Sequence, residues 1–242
     1  MKVIGACALA HLINDLIQAV LPSIYPLLKA NYGLSFTQVG LITLTFQLTA
    51  SLLQPWVGYH TDRHPKPWLL PAGMVCTLIG ILMLAFAGSF ASILVASALV
   101  GIGSSTFHPE TSRVARLASG GRYGLAQSTF QVGGNAGSAF GPLLAAAIVI
   151  PYGQGHVAWF GLFAAFAIVV LYGLSRWYRN HLALFKLKQG SQAHHGLSKG
   201  RVTGALVVLA MLVFSKYFYM TSFTSYFTFY LIEKFDLSVA SS

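Results

Sequence analysis

Asp15 is the residue of this chain whose position most needs a chemical explanation. It lies in the middle of an apolar stretch, 3–28, which exceeds the roughly 20 helical residues that cross a bilayer core. A carboxylate at that depth costs at least ~2.5–3.5 kcal/mol on insertion scales. Such a residue is expected to face a polar interior, a proton path or a substrate, so Asp15 is the first candidate for proton binding.

Three further ionisable side chains are candidate partners of Asp15 in moving a proton. His11 lies one helical turn away on the same helix. His108 and Glu110 lie ~10–14 Å into a later helix, near the ~16 Å depth of Asp15, provided that this helix extends well past them. Glu110 could instead pair with Arg113 near the membrane surface, and the sequence leaves both arrangements open.

Amide and aromatic side chains on several helices are the candidate substrate contacts. Amides that recur at helical spacing on neighbouring helices favour a shared wet cavity over isolated interhelical bonds. Lys216 lies ~20 Å into its span, so it is too deep for an interfacial anchor and needs an anionic partner, either a carboxylate or a bound substrate. The aromatic residues near it could also serve packing alone. The candidates are Gln18, Gln47, Gln131, Asn135, Lys216, Tyr219 and Tyr226.

The composition places all of these residues in a membrane protein. Only 8% of the residues are charged, 55% are hydrophobic and the mean hydropathy is +0.67, whereas a soluble domain carries roughly 25% charged residues. The net charge of +10 does not indicate nucleic-acid binding, because the basic residues lie between apolar spans. Cys7 and Cys76 fall inside such spans and are expected to be packing residues. We predict no metal site, since the adjacent His194 and His195 lie in a basic, solvated segment.

The apolar segments predict an all-α integral membrane protein with seven spans. Basic residues cluster at the amino terminus and after even-numbered spans, which predicts a cytoplasmic amino terminus. We expect a six-helix bundle over 1–177, a cytoplasmic linker over 178–202, and a seventh helix that begins a second bundle over 203–242. Pro22, Pro26 and Pro109 should bend or break their helices. The spans lie near 4–28, 36–59, 68–89, 91–112, 123–150, 157–177 and 203–231.

The connection after the second span, GYHTDRHPKP, resembles the cytoplasmic gate motif of the major facilitator superfamily. In that motif a glycine allows close helix approach, and a carboxylate and a guanidinium can pair and cap neighbouring helix ends. Pro65 stands where the family has a second glycine. The matching residues are Gly58, Asp62, Arg63 and Lys66.

The fifth span carries a glycine every four residues, which predicts a smooth face for close helix packing. Gly137 and Gly141, followed by Pro142, also resemble the antiporter motif of proton-coupled members of the same superfamily. Ala145 replaces the first of the motif's final glycines. The predicted motif comprises Gly133, Gly137, Gly141 and Pro142.

Long strings over nearly the whole chain resemble drug-exporting members of the major facilitator superfamily. They include HLINDLIQAVLPSIYPLL and GSSTFHPETSRVARLASGGRYGLAQSTFQVGGNAGSAFGPLLAA. The resemblance implies twelve helices in two bundles and alternating access. It also implies proton-driven export of small antibiotics, such as the anionic phosphonate fosmidomycin, by a monomer in the bacterial inner membrane. The proton gradient would be the energy source, without a cofactor.

The chain is shorter than a transporter with twelve spans. Twelve spans need roughly 400 residues, so the chain is expected to be an incomplete transporter that cannot work alone. Two alternatives stay open: proton-coupled uptake of an organic anion or metabolite, and a membrane fragment without transport activity. An enzyme is the weakest choice, because the sequence contains no nucleophile–base set, metal-ligand cluster or phosphate-binding loop.

Overall fold

The protein is helical throughout the part that its structure, a computed structural model, describes: residues 1–189 and 198–239. π-helical turns join α3 to α4 over Leu48–Leu52 and α7 to α8 over Ala145–Val149, and a 3₁₀ segment, Gln154–Trp159, precedes α9. The helices are α1 (Lys2–Ser23), α2 (Tyr25–Tyr32), α3 (Phe36–Gln47), α4 (Leu53–Arg63), α5 (Leu69–Ala85), α6 (Phe90–Leu117), α7 (Tyr123–Leu144), α8 (Ile150–Tyr152), α9 (Phe160–Gln189) and α10 (Lys199–Phe235).

Six helical stretches within the described residues are long and apolar enough to cross a membrane. α5 is apolar but shorter, with 17 residues. Each of the seven predicted spans therefore corresponds to an apolar helix, and the predicted all-α membrane architecture is confirmed. The six long stretches are Lys2–Ser23, Phe36–Arg63, Phe90–Leu117, Tyr123–Tyr152, Gln154–Leu182 and Gly200–Phe235.

The predicted break occurs at the end of the first span, whereas the helix of the fourth span is not broken at Pro109. α1 ends at Ser23 and α2 starts at Tyr25, because Pro26 has no N–H to donate to the carbonyl of Pro22. α6 instead continues through Pro109 as far as Leu117. This length meets the condition under which the sequence places His108 deep in its span.

α1 and α7 pack with their backbones in contact along the predicted glycine face. A Cβ atom on Gly133 would overlap the carbonyl oxygen of Ala8, and one on Gly137 would overlap that of Leu12. A Cβ atom on Gly141 would lie 2.6 Å from the carbonyl oxygen of Leu16. Glycine is required at these positions because any side chain would force the two helices apart.

The core of the bundle is formed by apolar residues of α1, α5, α6 and α9. Cys7 is buried there and Cys76 is partly buried, and both are free thiols, as predicted. α10 lies outside this core and is largely exposed. Its Ser225 is buried and lies 3.3 Å from the hydroxyl of Thr43 on α3, Oγ to Oγ1.

α9 extends beyond residue 177, where the sequence suggested that the linker begins. Residues 178–189 are helical, and Tyr178 is 1% exposed within the bundle. Most of the remaining predicted linker, with His194 and His195, lies outside the described residues. The division into two bundles joined by a linker stays a prediction.

Candidate proton and substrate site

His11, Asp15 and His108 converge where α1, α6 and α7 meet. His11 Nε2 lies 3.2 Å from Asp15 Oδ2, and His108 Nε2 lies 3.7 Å from Asp15 Oδ1. The two imidazole rings are 5.1 Å apart and meet edge to face. His11 is 3% exposed, whereas Asp15 and His108 are 19% and 26% exposed. We call these three residues the Asp15 cluster.

A backbone carbonyl on α7 fixes the tautomer of His11. His11 Nδ1 lies 2.8 Å from the carbonyl oxygen of Phe130, and its ring stacks on the Phe130 ring at 4.0 Å. Since a carbonyl oxygen only accepts hydrogen bonds, Nδ1 must carry the hydrogen. Nε2 of the neutral ring is then an acceptor that faces another acceptor, the carboxylate of Asp15. A shared proton or another cation is needed between them.

Asn14 and Gly134 complete the surroundings of the carboxylate. Asn14 is fully buried and donates from Nδ2 to Asp15 Oδ1 at 3.0 Å. A Cβ atom on Gly134 would lie 2.5 Å from the His11 ring and 2.8 Å from Asp15 Oδ2. Gly134 therefore leaves the space in which the histidine and the carboxylate meet.

The Asp15 cluster lies in the wall of a cavity of about 1130 Å³. The amides Gln18, Gln47 and Gln131, predicted as substrate contacts, also line this cavity. Gln18 accepts a hydrogen bond at 3.2 Å from Ser104 Oγ, while its buried Nε2 has no hydrogen-bond partner within the described residues. Asn135 is not among the lining residues; its Oδ1 accepts from Gln131 Nε2 at 3.2 Å.

α10 presents a different face to the cavity from the one that the sequence suggested. Lys216, Tyr219 and Tyr226 do not line it. Lys216 is exposed, with Nζ 5.4 Å from the centre of the Tyr217 ring. At 100° per residue, the aromatic face predicted from the sequence is centred about 150° around α10 from the face that lines the cavity. The polar residues of α10 that line the cavity are Tyr217, Thr221, Thr224 and Thr228.

Glu110 lies apart from the Asp15 cluster and pairs with Arg113. It is two residues from His108, so its side chain leaves α6 about 200° further around the helix. Glu110 is fully buried, and its Oε1 accepts from Arg113 Nη1 at 2.7 Å. Of the two arrangements that the sequence left open, the structure contains the pair with Arg113. Glu110 therefore does not lie beside Asp15 and His108, as the predicted proton relay would require.

Arg113 also joins the gate motif, where the sequence expected Arg63. Its Nη2 bonds to Asp62 Oδ1 and donates to Thr61 Oγ1 at 3.1 Å. The Arg63 guanidinium lies 3.6 Å above the ring of Tyr59 and so does not serve Asp62. We call Asp62, Arg113 and Glu110 the gate cluster.

Gly58 and Lys66 complete the motif without joining the ion pairs. The Gly58 carbonyl oxygen lies 3.5 Å from Arg113 Nη2, and a Cβ atom on Gly58 would sit 3.9 Å from Pro109. Close approach of α4 to α6 at this glycine agrees with the expectation. Lys66 is half-buried in the connection before α5.

The sequence matches the Major Facilitator Superfamily over residues 7–242. The chain belongs to the Major Facilitator Superfamily. The fosmidomycin resistance protein of Escherichia coli (strain K12) is 58% identical over 240 residues, 99% of this chain and 59% of that protein. The uncharacterized MFS-type transporter YfnC of Bacillus subtilis (strain 168) is 41% identical over 240 residues, 98% of this chain and 58% of that protein. The chain thus spans less than two thirds of either relative.

Solved structures support the superfamily fold. A bacterial homolog of the human lysosomal transporter Spinster, in an inward-facing and occupied conformation, matches with a TM-score of 0.73 at 17% identity. The match covers 99% of this chain and 55% of that one. The all-α fold predicted from the superfamily resemblance is confirmed, and the chain is a multi-pass membrane protein.

Three residues that contact the Asp15 cluster were not predicted from the sequence. Asn14 adjoins Asp15, so its helical neighbourhood was a usable signal. Gly134 sits beside the regularly spaced Gly133 and falls outside the four-residue repeat. Phe130 acts through its backbone carbonyl, which carries no sequence signal at all.

Proposed function

We propose that this protein exports small antibiotics in exchange for protons across the bacterial inner membrane, and that the Asp15 cluster binds the proton. The proposal concerns a protein with the full length of the relatives, of which this chain spans less than two thirds. One observation carries it: two imidazole rings meet a carboxylate in the wall of a large cavity, and Nε2 of His11 faces that carboxylate as an acceptor. A proton shared between His11 Nε2 and Asp15 relieves this contact between acceptors, and an imidazole nitrogen can take up and release a proton.

The substrate class rests on the relative from Escherichia coli, a protein of fosmidomycin resistance with 58% identity. Export is one direct route to resistance, because it lowers the drug concentration inside the cell. The amides in the cavity wall fit a small polar drug. Gln18 Nε2 is buried without a partner within the described residues, so turning this nitrogen towards a drug oxygen would break no bond that the nitrogen makes.

Exchange requires that the drug and the proton exclude each other. His108 is the most exposed member of the Asp15 cluster, and its Nε2 helps to hold the proton. A drug group that donates a hydrogen bond to this nitrogen removes one of the acceptors, which weakens proton binding. Loss of the proton also leaves a net negative charge at Asp15, which favours departure of an anion from the cavity.

The gate cluster supplies the conformational part of the cycle. Arg113 on α6 bonds to Asp62 and Thr61 at the end of α4 and to Glu110 on its own helix. These bonds tie the two helices together on the side where basic residues predict the cytoplasm. We propose that they latch this side of the cavity and separate when it opens.

Proton flux in proteoliposomes tests the assignment of Asp15. The complete protein is reconstituted with a pH-sensitive dye inside, and fosmidomycin is added on one side. We expect drug-dependent proton movement that Asp15→Asn abolishes. Glu233→Gln, which removes an exposed carboxylate at the end of α10, is the matched control and should transport normally. Unchanged proton movement in Asp15→Asn would show that another group carries the proton.

Proton-coupled uptake of an organic anion is a second candidate, and the electrostatics of the site give it specific support. A protonated Asp15 cluster attracts an anion, so proton and anion can also travel together. Vesicles of defined orientation separate the two functions. Under an imposed proton gradient, exchange moves the drug against the direction of the proton, whereas co-transport moves both the same way. The second result would replace export with uptake while leaving the proton site intact.

A further inference from the structure

We propose that His11, Asp15 and His108 also bind a first-row divalent transition-metal ion, with Zn²⁺ and Co²⁺ as probes. This site goes beyond the drug and proton transport proposed above and does not depend on it. It rests on ligand type, ligand spacing, support of the ligands by neighbouring groups and access from the cavity.

The spacing of the three ligand atoms suits a tetrahedral ion. Zn²⁺ binds nitrogen and oxygen ligands at about 2.0–2.1 Å, which places neighbouring ligands of a tetrahedron about 3.4 Å apart. His11 Nε2 lies 3.2 Å from Asp15 Oδ2, and His108 Nε2 lies 3.7 Å from the other carboxylate oxygen, Oδ1, so each imidazole is near tetrahedral spacing from one of the two oxygens. All three ligand atoms lie within 4.8 Å of one another. Rotation of the partly exposed His108 ring, together with the carboxylate, would bring both imidazoles to tetrahedral spacing around one ion.

Hydrogen bonds from neighbouring groups hold two of the ligands in the orientation that a metal needs. The carbonyl of Phe130 accepts from Nδ1 of His11 and so turns the Nε2 lone pair towards the site. The amide of Asn14 donates to Asp15 and restrains the carboxylate. Metal-binding histidines in proteins usually donate their second ring N–H to such a carbonyl or carboxylate, and ligating carboxylates are themselves hydrogen-bonded.

The donor set and the open side of the site define the ion. Two imidazoles and one carboxylate favour Zn²⁺, Co²⁺, Ni²⁺ or Cu²⁺ over Mg²⁺ and Ca²⁺, which prefer an all-oxygen shell. The fourth position faces the cavity, where water or a ligand oxygen can occupy it. In the gate cluster, the guanidinium of Arg113 supplies the positive charge beside the carboxylates. In the Asp15 cluster, a cation from solution would supply this positive charge.

Co²⁺ absorption of the purified complete protein tests the site directly, without transport. His60, His64, His194 and His195 are first replaced by glutamine, because adjacent or helically spaced imidazoles can bind metals themselves. This parent protein should bind one Co²⁺ with the visible bands of a tetrahedral ion, and Zn²⁺ should displace it. Asp15→Asn and His108→Gln should each weaken binding by at least about tenfold, the lower end of the loss seen for groups that only support a ligand.

Two further variants keep the test decisive if a ligand variant folds poorly. His108→Cys preserves a ligand and should add a thiolate-to-Co²⁺ charge-transfer band, which a structural role for His108 would not produce. His156→Gln, a histidine beyond the cavity, should bind Co²⁺ like the parent. The proposal fails if the parent binds no Co²⁺, or if Asp15→Asn and His108→Cys leave the affinity and spectrum unchanged. Failure would leave proton coupling at Asp15 to be judged by the flux assay alone.

Discussion

The Asp15 cluster and the gate cluster lie on nearly opposite faces of α6, and they differ in the group that each carboxylate meets. Asp15 meets two imidazoles in a cavity wall, whereas the fully buried Glu110 meets the guanidinium of Arg113. A guanidinium stays charged in proteins, so the gate pair is compensated permanently. An imidazole can exist as a neutral or a protonated ring, so the charge beside Asp15 is exchangeable.

This difference shows that the role of a carboxylate in a membrane helix depends on the group that it contacts. With arginine, the carboxylate contributes to a fixed connection between helices. With histidines in a wet cavity, it becomes a site for a mobile cation. The following predictions test that contrast through protein stability, from the largest expected effect to the smallest.

Arg113→Gln should cause the largest loss. Removing the guanidinium leaves Glu110 buried without its cation, and breaking a buried pair in this way destabilises a protein by about 3–5 kcal/mol. Unfolding of the purified protein in detergent measures the loss. The double variant Arg113→Gln with Glu110→Gln should recover much of it, because no unpaired charge then remains buried and Asp62 is largely solvated. A single variant as stable as the parent would contradict the compensated-pair interpretation.

Gly134→Ala should destabilise the Asp15 cluster by about 1–3 kcal/mol, the usual range for overpacking. The added Cβ atom would lie 2.5 Å from the His11 ring, which its stacking on Phe130 restrains. Gly124→Ala is the matched control in the same helix, because a Cβ atom there meets open space. It should be neutral or stabilising. Equal stability of the two variants would show that Gly134 does not set the position of the histidine.

Asp15→Asn should raise the stability by about 1 kcal/mol, the net value of a typical hydrogen bond. The new amide can donate to His11 Nε2 and still accept from Asn14, which removes the conflict between facing acceptors. Unfolding in detergent gives the sign, and the same variant is expected to lose proton coupling. A large loss of stability would mean that the Asp15 cluster behaves like the gate cluster.

Asp62→Asn should have the smallest effect, about 0.2–1 kcal/mol, the range for exposed ion pairs. Asp62 is 65% exposed, so water replaces much of its bond with Arg113. Comparison with Arg113→Gln separates the rim of the gate cluster from its buried pair. A loss as large as that of Arg113→Gln would place the critical charge at Asp62 instead of at Glu110.

Much of the fold could be predicted because it follows from local properties of the chain. Apolar segments long enough for a bilayer predict helices, and Pro26 predicts the break after α1. Glycines at every fourth position predict the α1–α7 contact. His11 and Asp15 could be joined because they are four residues apart on one helix. Only the similar depth of His108 suggested that it lies near them. Two residues at the same depth can also lie on helices that do not contact each other.

The rest depended on how helices turn towards each other. Glu110 and His108 have similar depths, yet one meets α4 and the other meets α1. Lys216 and Tyr217 are adjacent, yet only Tyr217 lines the cavity. Depth along a helix can be counted in the sequence, whereas the direction of a side chain depends on the rotation of the whole helix.

The sequence by itself determined that this is a helical membrane protein, that its first span breaks near Pro26, and that Asp15 is a charge needing a partner. Hydrophobic length, proline and glycine chemistry and the desolvation of a carboxylate are properties of residues and near neighbours. Only the tertiary structure decided that Asp15 meets histidines while Glu110 meets arginine. The 3.6-residue period relates side chains within one helix, but packing between helices selects the face that each one presents.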